Sequence, residues 1–277
     1  MVGPIRSEIR KVFTTRLWWG MAIGLAVLAA GIAAGFAALV GTDLGQDPDT
    51  AAGNPFAQMS VGTAQLIYNA GLVQSFTTLF PLALGVLLIT NEYRHQTITA
   101  TFLSTPNRAT VLISKTVAVT VIGVIYAAVH AVASVAGGAG ILAGVKGVDT
   151  YLGDGEVIRS LAIGVVAMIV WTLLGFGFGM LVRNQIAATL IAVGVAFIGQ
   201  IALNIIFQIQ EWWAVARLLP GNLTAGMLIT SDPTLGAADP AESPYFTSWW
   251  VSALILVGYA AVLAIAGSIL TARRDVA

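Results

Sequence analysis

Residues 116–145 read TVAVTVIGVIYAAVHAVASVAGGAGILAGV, a run of 30 positions without a charged side chain. A helix that crosses a bilayer needs about 20 consecutive, mostly apolar residues, so this run is long enough to span a membrane. The whole chain shares this character, since 57% of its 277 residues are hydrophobic and only 9% are charged. Soluble domains carry about 25% charged residues. The sequence therefore predicts an integral membrane protein and excludes a soluble enzyme.

Five further apolar stretches accompany this run, which predicts an all-α membrane protein with six spans. The predicted spans are 17–41, 66–90, 116–145, 160–182, 186–209 and 249–271. We expect residues 1–16 to form a separate amphipathic helix and residues 17–277 to form one transmembrane domain. Within that domain, 91–115 is a loop between the second and third spans, and 210–248 is a segment between the fifth and sixth.

The formal net charge is zero, with 13 basic and 13 acidic residues, but the predicted spans distribute these charges unequally. Ten basic and three acidic residues fall on the side that holds both termini, a balance of +7. Three basic and ten acidic residues fall on the other side, a balance of −7. Because basic residues are enriched in cytoplasmic loops, we predict that both termini are cytoplasmic.

The N-terminal segment has the pattern of a helix that lies on the membrane. Its apolar residues recur at helical spacing, and its basic residues lie off that face. The apolar positions are Ile5, Ile9, Val12 and Phe13, and the basic ones are Arg6, Arg10 and Lys11. Such a helix binds the inner membrane surface and is attracted to anionic lipid. The alternative is that it continues the first span as one long helix. A cleaved signal peptide is disfavoured, because the uncharged run from Leu17 to Thr42 exceeds the apolar core of about 7–15 residues in such peptides.

The loop NEYRHQTITATFLSTPNRATVLISK, residues 91–115, is the largest predicted cytoplasmic feature. Residues 92–103 contain no Gly or Pro and can form a short helix. Thr105 and Pro106 then favour the start of a second helix, with Thr as N-cap and Pro at the first helical position. A short polar helix between two spans is either a docking surface for a soluble partner or a solvated connector, and the spacing alone does not separate the two.

This loop and its surroundings resemble the membrane subunits of ABC-2-type ABC transporters. In that family the corresponding stretch runs E-Y-R-x-x-T, then a Leu, a Pro-x-x-R, and a Lys that enters the next span. The matching positions here are Glu92, Tyr93, Arg94, Thr97, Leu103, Pro106, Arg108 and Lys115. The Pro-x-x-R spacing is contracted to Pro106-Asn107-Arg108. With the six predicted spans and the cytoplasmic N-terminus, the resemblance extends over essentially the whole chain.

The resemblance implies a permease subunit in the cytoplasmic membrane of a prokaryote. The N-terminal helix would be the family's elbow helix, and residues 92–103 would be the coupling helix that docks on a separate ATP-binding subunit. The residues expected at that interface are Glu92, Tyr93, Arg94, His95, Thr97, Thr101, Leu103, Pro106 and Arg108. A second copy or a homologous permease would complete a central pathway between spans two and five. Residues 211–228 suit short helices that re-enter the membrane from outside, and the transported substrate would be a small hydrophobic or amphiphilic molecule such as a drug or lipid.

Several residue types that other mechanisms require are missing from the sequence. The six predicted spans contain no Asp, Glu, Lys or Arg, whereas ion-driven carriers usually keep an ionisable residue at membrane depth. No G-x-x-x-x-G-K-[ST] phosphate loop occurs, so we expect ATP and Mg²⁺ to bind the partner subunit. Cysteine is absent, and His95 and His130 are the only histidines. We predict no catalytic residue, no metal site and no nucleic-acid partner in this chain.

Two groups of polar and aromatic residues within the spans are candidates for the substrate pathway. The second span contributes Gln74, Thr77, Thr78 and Pro81, and the fifth contributes Phe197, Gln200, Asn204 and Phe207. Gln200 and Asn204 are four residues apart and so share one helix face. The same amides could instead form hydrogen bonds between helices. We also expect Pro81 to kink the second span or to loosen it locally.

Two other functional classes share parts of this pattern. A non-transporting membrane scaffold or sensor would have the same topology but no ATPase partner. A membrane-embedded enzyme would need converging nucleophilic, acid–base or metal-binding residues inside the bilayer, and the spans contain no such group.

Overall fold

The computed structural model describes residues 2–42, 55–95, 108–182, 184–229 and 248–274. Regular structure in these ranges is helical throughout. The helices are α1 (Val2–Thr14), α2 (Leu17–Leu39), α3 (Val61–Val73), α4 (Leu79–Arg94), α5 (Arg108–Ile141), α6 (Gly155–Leu181), α7 (Gln185–Gly194), α8 (Gln200–Ile209), α9 (Trp213–Ala216), α10 (Pro220–Leu228) and α11 (Trp249–Arg274). A π-helical turn, Leu142–Lys146, extends α5, and a second one, Val195–Gly199, joins α7 to α8.

Five helical stretches among the described residues are long and apolar enough to cross a membrane. They are Leu17–Leu39, Thr110–Lys146, Gly155–Leu181, Gln185–Ile209 and Trp249–Leu270. The chain is therefore an all-α, multi-pass membrane protein, as the composition predicts. These stretches coincide with the first, third, fourth, fifth and sixth predicted spans. The separate α1 also agrees with the amphipathic helix expected over residues 1–16, since α1 ends at Thr14 and α2 begins at Leu17.

The second predicted span, 66–90, is not one continuous helix. Helix α3 ends at Val73, α4 begins at Leu79, and between them Ser75 adopts a left-handed backbone with φ of 61°. The interruption comes a few residues before Pro81, the position at which a kink or local loosening is expected. Pro81 lies in the first turn of α4, where backbone N–H groups have no helical partner and the missing donor costs nothing.

The long helix α6 is the centre of the bundle, and α4, α5 and α11 pack around it. Two glycines allow α4 and α6 to approach backbone to backbone. A Cβ on Gly85 would lie 2.1 Å from the Thr172 carbonyl oxygen, and a Cβ on Gly175 would lie 2.0 Å from the Leu82 carbonyl oxygen. The stretch Gln185–Ile209, which corresponds to the fifth predicted span, is placed differently, since only 11% of its most apolar part is buried, compared with 61% for α6.

Candidate functional site

The interruption between α3 and α4 is closed by local hydrogen bonds. The Thr77 N–H donates to the Gly71 carbonyl at 3.0 Å, and the Ser75 N–H donates to the Leu72 carbonyl at 3.0 Å. The Thr78 hydroxyl donates to the Ser75 carbonyl at 2.9 Å. Unpaired backbone groups are costly away from water, so these bonds make an irregular segment tolerable within an apolar bundle.

Three amide side chains form a hydrogen-bonded group where α8 meets α10, which we call the amide junction (Gln200, Asn204 and Asn222). The Gln200 Nε2 group donates to Asn222 Oδ1 at 3.2 Å. The Asn222 Nδ2 group donates to Asn204 Oδ1 at 2.8 Å and to the Ala216 carbonyl at 2.7 Å. The predicted common face of Gln200 and Asn204 is therefore present, and it faces the short helices that precede α11.

The amide junction also reaches the interruption in the second span. Gln200 Oε1 accepts from the Gly221 N–H at 3.1 Å, at the start of α10. A Cβ on Gly221 would lie 2.5 Å from Gln200 Nε2 and 2.7 Å from the Ser75 hydroxyl oxygen. The α3–α4 interruption, the spanning helix α8 and the short helix α10 thus meet at Gly221, where only glycine fits without a shift of its neighbours.

An aromatic pair lies beside this meeting point. The rings of Phe76 and Phe197 have centroids 5.1 Å apart, within the range of favourable aromatic contacts. Phe76 is exposed, with a relative accessibility of 39%, and Phe197 lies in the π-helical turn between α7 and α8. Such π-helical turns occur frequently at functional sites.

The predicted pathway residues divide between the surface and the interior of the chain. Gln74 is exposed, and Phe197, Asn204 and Phe207 are partly exposed. Thr77, Thr78, Pro81 and Gln200 are buried against the chain's own helices. Phe207 contacts Trp212, with ring centroids 6.0 Å apart.

Sequence reasoning missed two residues at this site, Phe76 and Asn222. Phe76 lies between the selected Gln74 and Thr77 in sequence. Asn222 stands out only as part of an Asn-Leu-Thr glycosylation motif and as an amide just after Pro220. Its contact with Asn204 spans 18 residues and depends on how α10 folds back.

A second polar group lies at the other end of α4, away from the interruption, and we call it the ion-pair cluster (Glu8, Lys11, Glu92 and Lys115). Lys115 Nζ contacts Glu8 Oε2 at 2.9 Å and also pairs with Glu92 Oε1. Lys11 Nζ lies 2.6 Å from Glu8 Oε1 and 3.4 Å from Glu92 Oε1. The cluster therefore ties α1 to the end of α4 and to the beginning of α5.

The ion-pair cluster is largely withdrawn from water. Relative side-chain exposure is 6% for Lys115 and 10% for both carboxylates, whereas Lys11 retains 46%. Burial raises the pKa of Glu8, but Lys115 and Lys11 outweigh it and hold that pKa below its ordinary value. Burial likewise lowers the pKa of Lys11, and its bonds with Glu8 and Glu92 more than compensate, so that pKa is raised. The ionised forms of Glu8 and Lys11 are thus favoured near neutral pH.

The predicted coupling residues are distributed in three ways. Helix α4 continues through Glu92, Tyr93 and Arg94, and His95 follows directly after its end. Residue 92 therefore does not begin a separate helix, because no Gly or Pro interrupts the chain there. Residues Thr97, Thr101, Leu103 and Pro106 lie outside the described residues, and so does the side chain of Arg108. Glu92 is buried within its own chain, while Arg94 and His95 are exposed. The Arg94 Nη1 group donates to Gln185 Oε1 at 3.2 Å.

Comparison with known proteins places this chain in a family. Residues 49–277 match the family described as "Protein of unknown function (DUF2705)". The chain belongs to the DUF2705 family. No curated protein matches it. The part that matches DUF2705 contains the amide junction and two members of the ion-pair cluster, Glu92 and Lys115, whereas α1 precedes it.

Proposed function

We propose that this DUF2705 chain is the membrane-spanning permease subunit of an ATP-driven transporter of the ABC-2 type, and that it exports a small hydrophobic or amphiphilic substrate. The observation that carries this proposal is the meeting of three elements at Gly221. An interrupted second span, a weakly buried fifth spanning helix and a short helix between spans five and six share one polar contact site. Interrupted helices are typical of membrane proteins that bind and move solutes.

The interrupted span supplies the sixth crossing in this proposal. Helix α3 has 13 residues and α4 has 16, so each is too short to cross a bilayer alone, which takes about 20 residues. The two helices follow each other in the sequence, and their combined length is sufficient for one crossing of the bilayer. With α3 and α4 counted as one span, the number of crossings is six, and both termini lie on the cytoplasmic side, where basic residues predominate.

The surface of this chain supports a substrate path shared with a second subunit. The stretch Gln185–Ile209 is only 11% buried in its most apolar part, and it carries the partly exposed Phe197 and Asn204 beside the exposed Phe76 and Gln74. Amides orient the polar end of an amphiphile, and aromatic rings contact its apolar part. A second copy or a homologous permease facing this helix would enclose the path.

Energy would enter from the cytoplasmic side in this proposal. The chain has no phosphate-binding loop of its own, so a separate ATP-binding subunit would bind ATP and Mg²⁺. The exposed Arg94 and His95 would provide part of the docking surface. The Glu92 side chain is paired inside the chain with Lys115. In this proposal Glu92 would pass a displacement of the end of α4 on to α1 and α5 instead of touching the partner.

Purification of the tagged chain from its native membrane, with identification of the proteins that accompany it, tests whether an ATP-binding subunit exists as its partner. We expect the two proteins to co-purify, and we expect the reconstituted complex to hydrolyse ATP faster when an amphiphilic substrate is present. Arg94→Ala should reduce this coupled ATPase activity while membrane insertion is unchanged. Arg159→Ala is the matched control, since Arg159 belongs to the acidic outer side and pairs with Glu156. Absence of any ATP-binding partner, or full coupling in Arg94→Ala, would contradict the proposal.

A further inference from the structure

A cavity of about 400 Å³ lies next to the ion-pair cluster, between α1 and the adjoining ends of α4 and α5. Its polar wall contains Glu8, Lys11, Glu92 and Lys115. The rest of the lining is mostly apolar and includes Val12, Leu17, Leu88, Val119 and Phe176, and the polar side chains of Thr14, Thr15, Asn91 and His95 complete it. A ligand that fills this space must therefore combine a charged end with an apolar body. Because α1 is an amphipathic helix beside a spanning helix, the cavity is at the level of lipid headgroups.

The charged groups of the cavity wall determine what net charge a bound ligand can carry. Its wall carries two carboxylates and two ammonium groups that already pair with each other. A ligand with a net charge would leave one charge uncompensated in a largely buried site, which is costly. A zwitterion adds one charge of each sign and leaves the site neutral.

Two atoms of the cluster have free capacity for such a ligand. Glu92 Oε2 is buried and has no hydrogen-bond partner among the described residues. Lys11 is the most exposed member of the cluster, with 46% of its side chain accessible, and an ammonium group can donate three hydrogen bonds. The site therefore offers one carboxylate acceptor for a cationic donor and one ammonium donor for an anionic acceptor.

We propose that this cavity binds the headgroup of an aminophospholipid, a zwitterionic lipid with a primary ammonium group. The ammonium group donates to Glu92 Oε2, the phosphate accepts from Lys11 Nζ, and the beginning of an acyl chain lies against Val12, Leu17 and Phe176. A choline headgroup has no N–H and cannot donate to Glu92. This lipid would hold α1 against the bundle at the point where α4 ends.

Native mass spectrometry of the purified full chain tests this binding with a series of headgroups. The detergent-solubilised protein is mixed with equal amounts of lipids that have matched acyl chains. These carry phosphoethanolamine, its N-monomethyl form, phosphocholine or phosphoglycerol. We expect retention of phosphatidylethanolamine to exceed that of phosphatidylcholine about tenfold, as is reasonable for one hydrogen bond to a charged group. The monomethyl lipid, which keeps an N–H, should behave like phosphatidylethanolamine.

Substitution of Glu92 identifies the acceptor. Glu92→Gln should weaken the preference for phosphatidylethanolamine over phosphatidylcholine severalfold, because a neutral amide oxygen accepts the ammonium N–H less strongly than a carboxylate does. Two control variants lie outside the cavity. Arg6→Gln on the exposed face of α1 should reduce retention of phosphatidylglycerol only. Glu156→Gln removes a carboxylate from an exposed ion pair on the outer side and should change no lipid ratio.

Three results would overturn the inference. These are equal retention of phosphatidylcholine and phosphatidylethanolamine, strongest retention of phosphatidylglycerol in the Arg6→Gln variant, or an unchanged preference in folded Glu92→Gln. If Glu92→Gln does not fold, the headgroup series on the unaltered chain decides. The measurement needs no ATP-binding partner, so its outcome is separate from that of the proposed transport function.

Discussion

The ion-pair cluster and the amide junction perform the same structural task with different chemistry. Each joins helices that are distant in sequence, since Lys115 pairs with Glu8 across 107 residues and Gln200 bonds Asn222 across 22. The cluster consists of charged side chains and lies near helix ends, beside segments that are rich in basic residues. The junction uses neutral amides of α8 and of the short helix α10. Charged side chains are expensive within a bilayer, whereas amides form interhelical bonds at modest energy. The cluster is thus suited to hold its helices together, and the junction is suited to separate and re-form.

The largest expected effect comes from removing one charge of the ion-pair cluster. Lys115→Ala leaves the Glu8 and Glu92 carboxylates with a single, more exposed ammonium group, and loss of one partner from a buried pair costs about 3–5 kcal/mol. Thermal unfolding in detergent micelles measures this loss. The exposed pair Arg159–Glu156 is the control, because Arg159→Ala should change stability by only about 0–1 kcal/mol. Equal losses in the two variants would show that burial of the cluster contributes nothing.

A smaller effect is expected at the amide junction. Gln200→Ala leaves the Gly221 N–H and one Asn222 oxygen without this partner, and we expect a loss of about 1–2 kcal/mol. The exposed Gln208 on the same helix gives a matched control, since Gln208→Ala removes an amide from the surface. The same thermal measurement applies. If Gln200→Ala lowered the stability as much as Lys115→Ala does, the inferred difference in strength between the amide junction and the ion-pair cluster would be wrong.

Acidification should separate the two regions by their chemistry. The pKa of Glu8 is lowered in the folded protein, so its contribution is present above its ordinary pKa of 4.5 and is lost as the pH falls through the lowered value. We therefore expect α1 to loosen in acid while the amide junction is unaffected. Because the chain has no cysteine, a single thiol at the buried Val12 (Val12→Cys) can report the change through disulfide exchange with a reagent that reacts in acid.

Two further cysteine positions serve as controls for the acid experiment. Ser7→Cys, on the exposed side of α1, should react at every pH. Ala225→Cys, in the buried α10, should stay protected as the pH falls. Exposure of both Val12→Cys and Ala225→Cys over the same pH range would indicate general unfolding, and the specific role of Glu8 would then be wrong.

The smallest effect is the coupling between Asn204 and Asn222. Their side chains exchange hydrogen bonds at 2.8 and 3.4 Å. Hydrogen bonds between membrane helices average about 0.6 kcal/mol in double-mutant cycles. A cycle with Asn204→Ala and Asn222→Ala should give a coupling energy of about that size. A value above about 2 kcal/mol would indicate a rigid junction, contrary to the separable one inferred from its neutral chemistry.

Sequence reasoning succeeded where a local property decides the structure. The run 116–145 and the other uncharged stretches identified the five spanning helices, and the common face of Gln200 and Asn204 follows from helical spacing alone. It failed at positions 74–78, because Ser and Thr occur in continuous membrane helices as well as at interruptions. The assignment of Glu92 to a partner surface stays a prediction. The structure shows that Glu92 pairs with Lys11 of α1 and Lys115 of α5, contacts that its local sequence does not indicate.

The amino-acid sequence by itself determined that this chain is an all-α membrane protein and which of its segments are apolar enough to cross the bilayer. The reason is that transfer into the hydrocarbon region depends on composition and length. The tertiary structure alone decided which polar groups meet. The contacts of Glu8 with Lys115, of Gln200 with Gly221, and of Phe76 with Phe197 each join separate helices. Their positions depend on how helices pack, which no local pattern records.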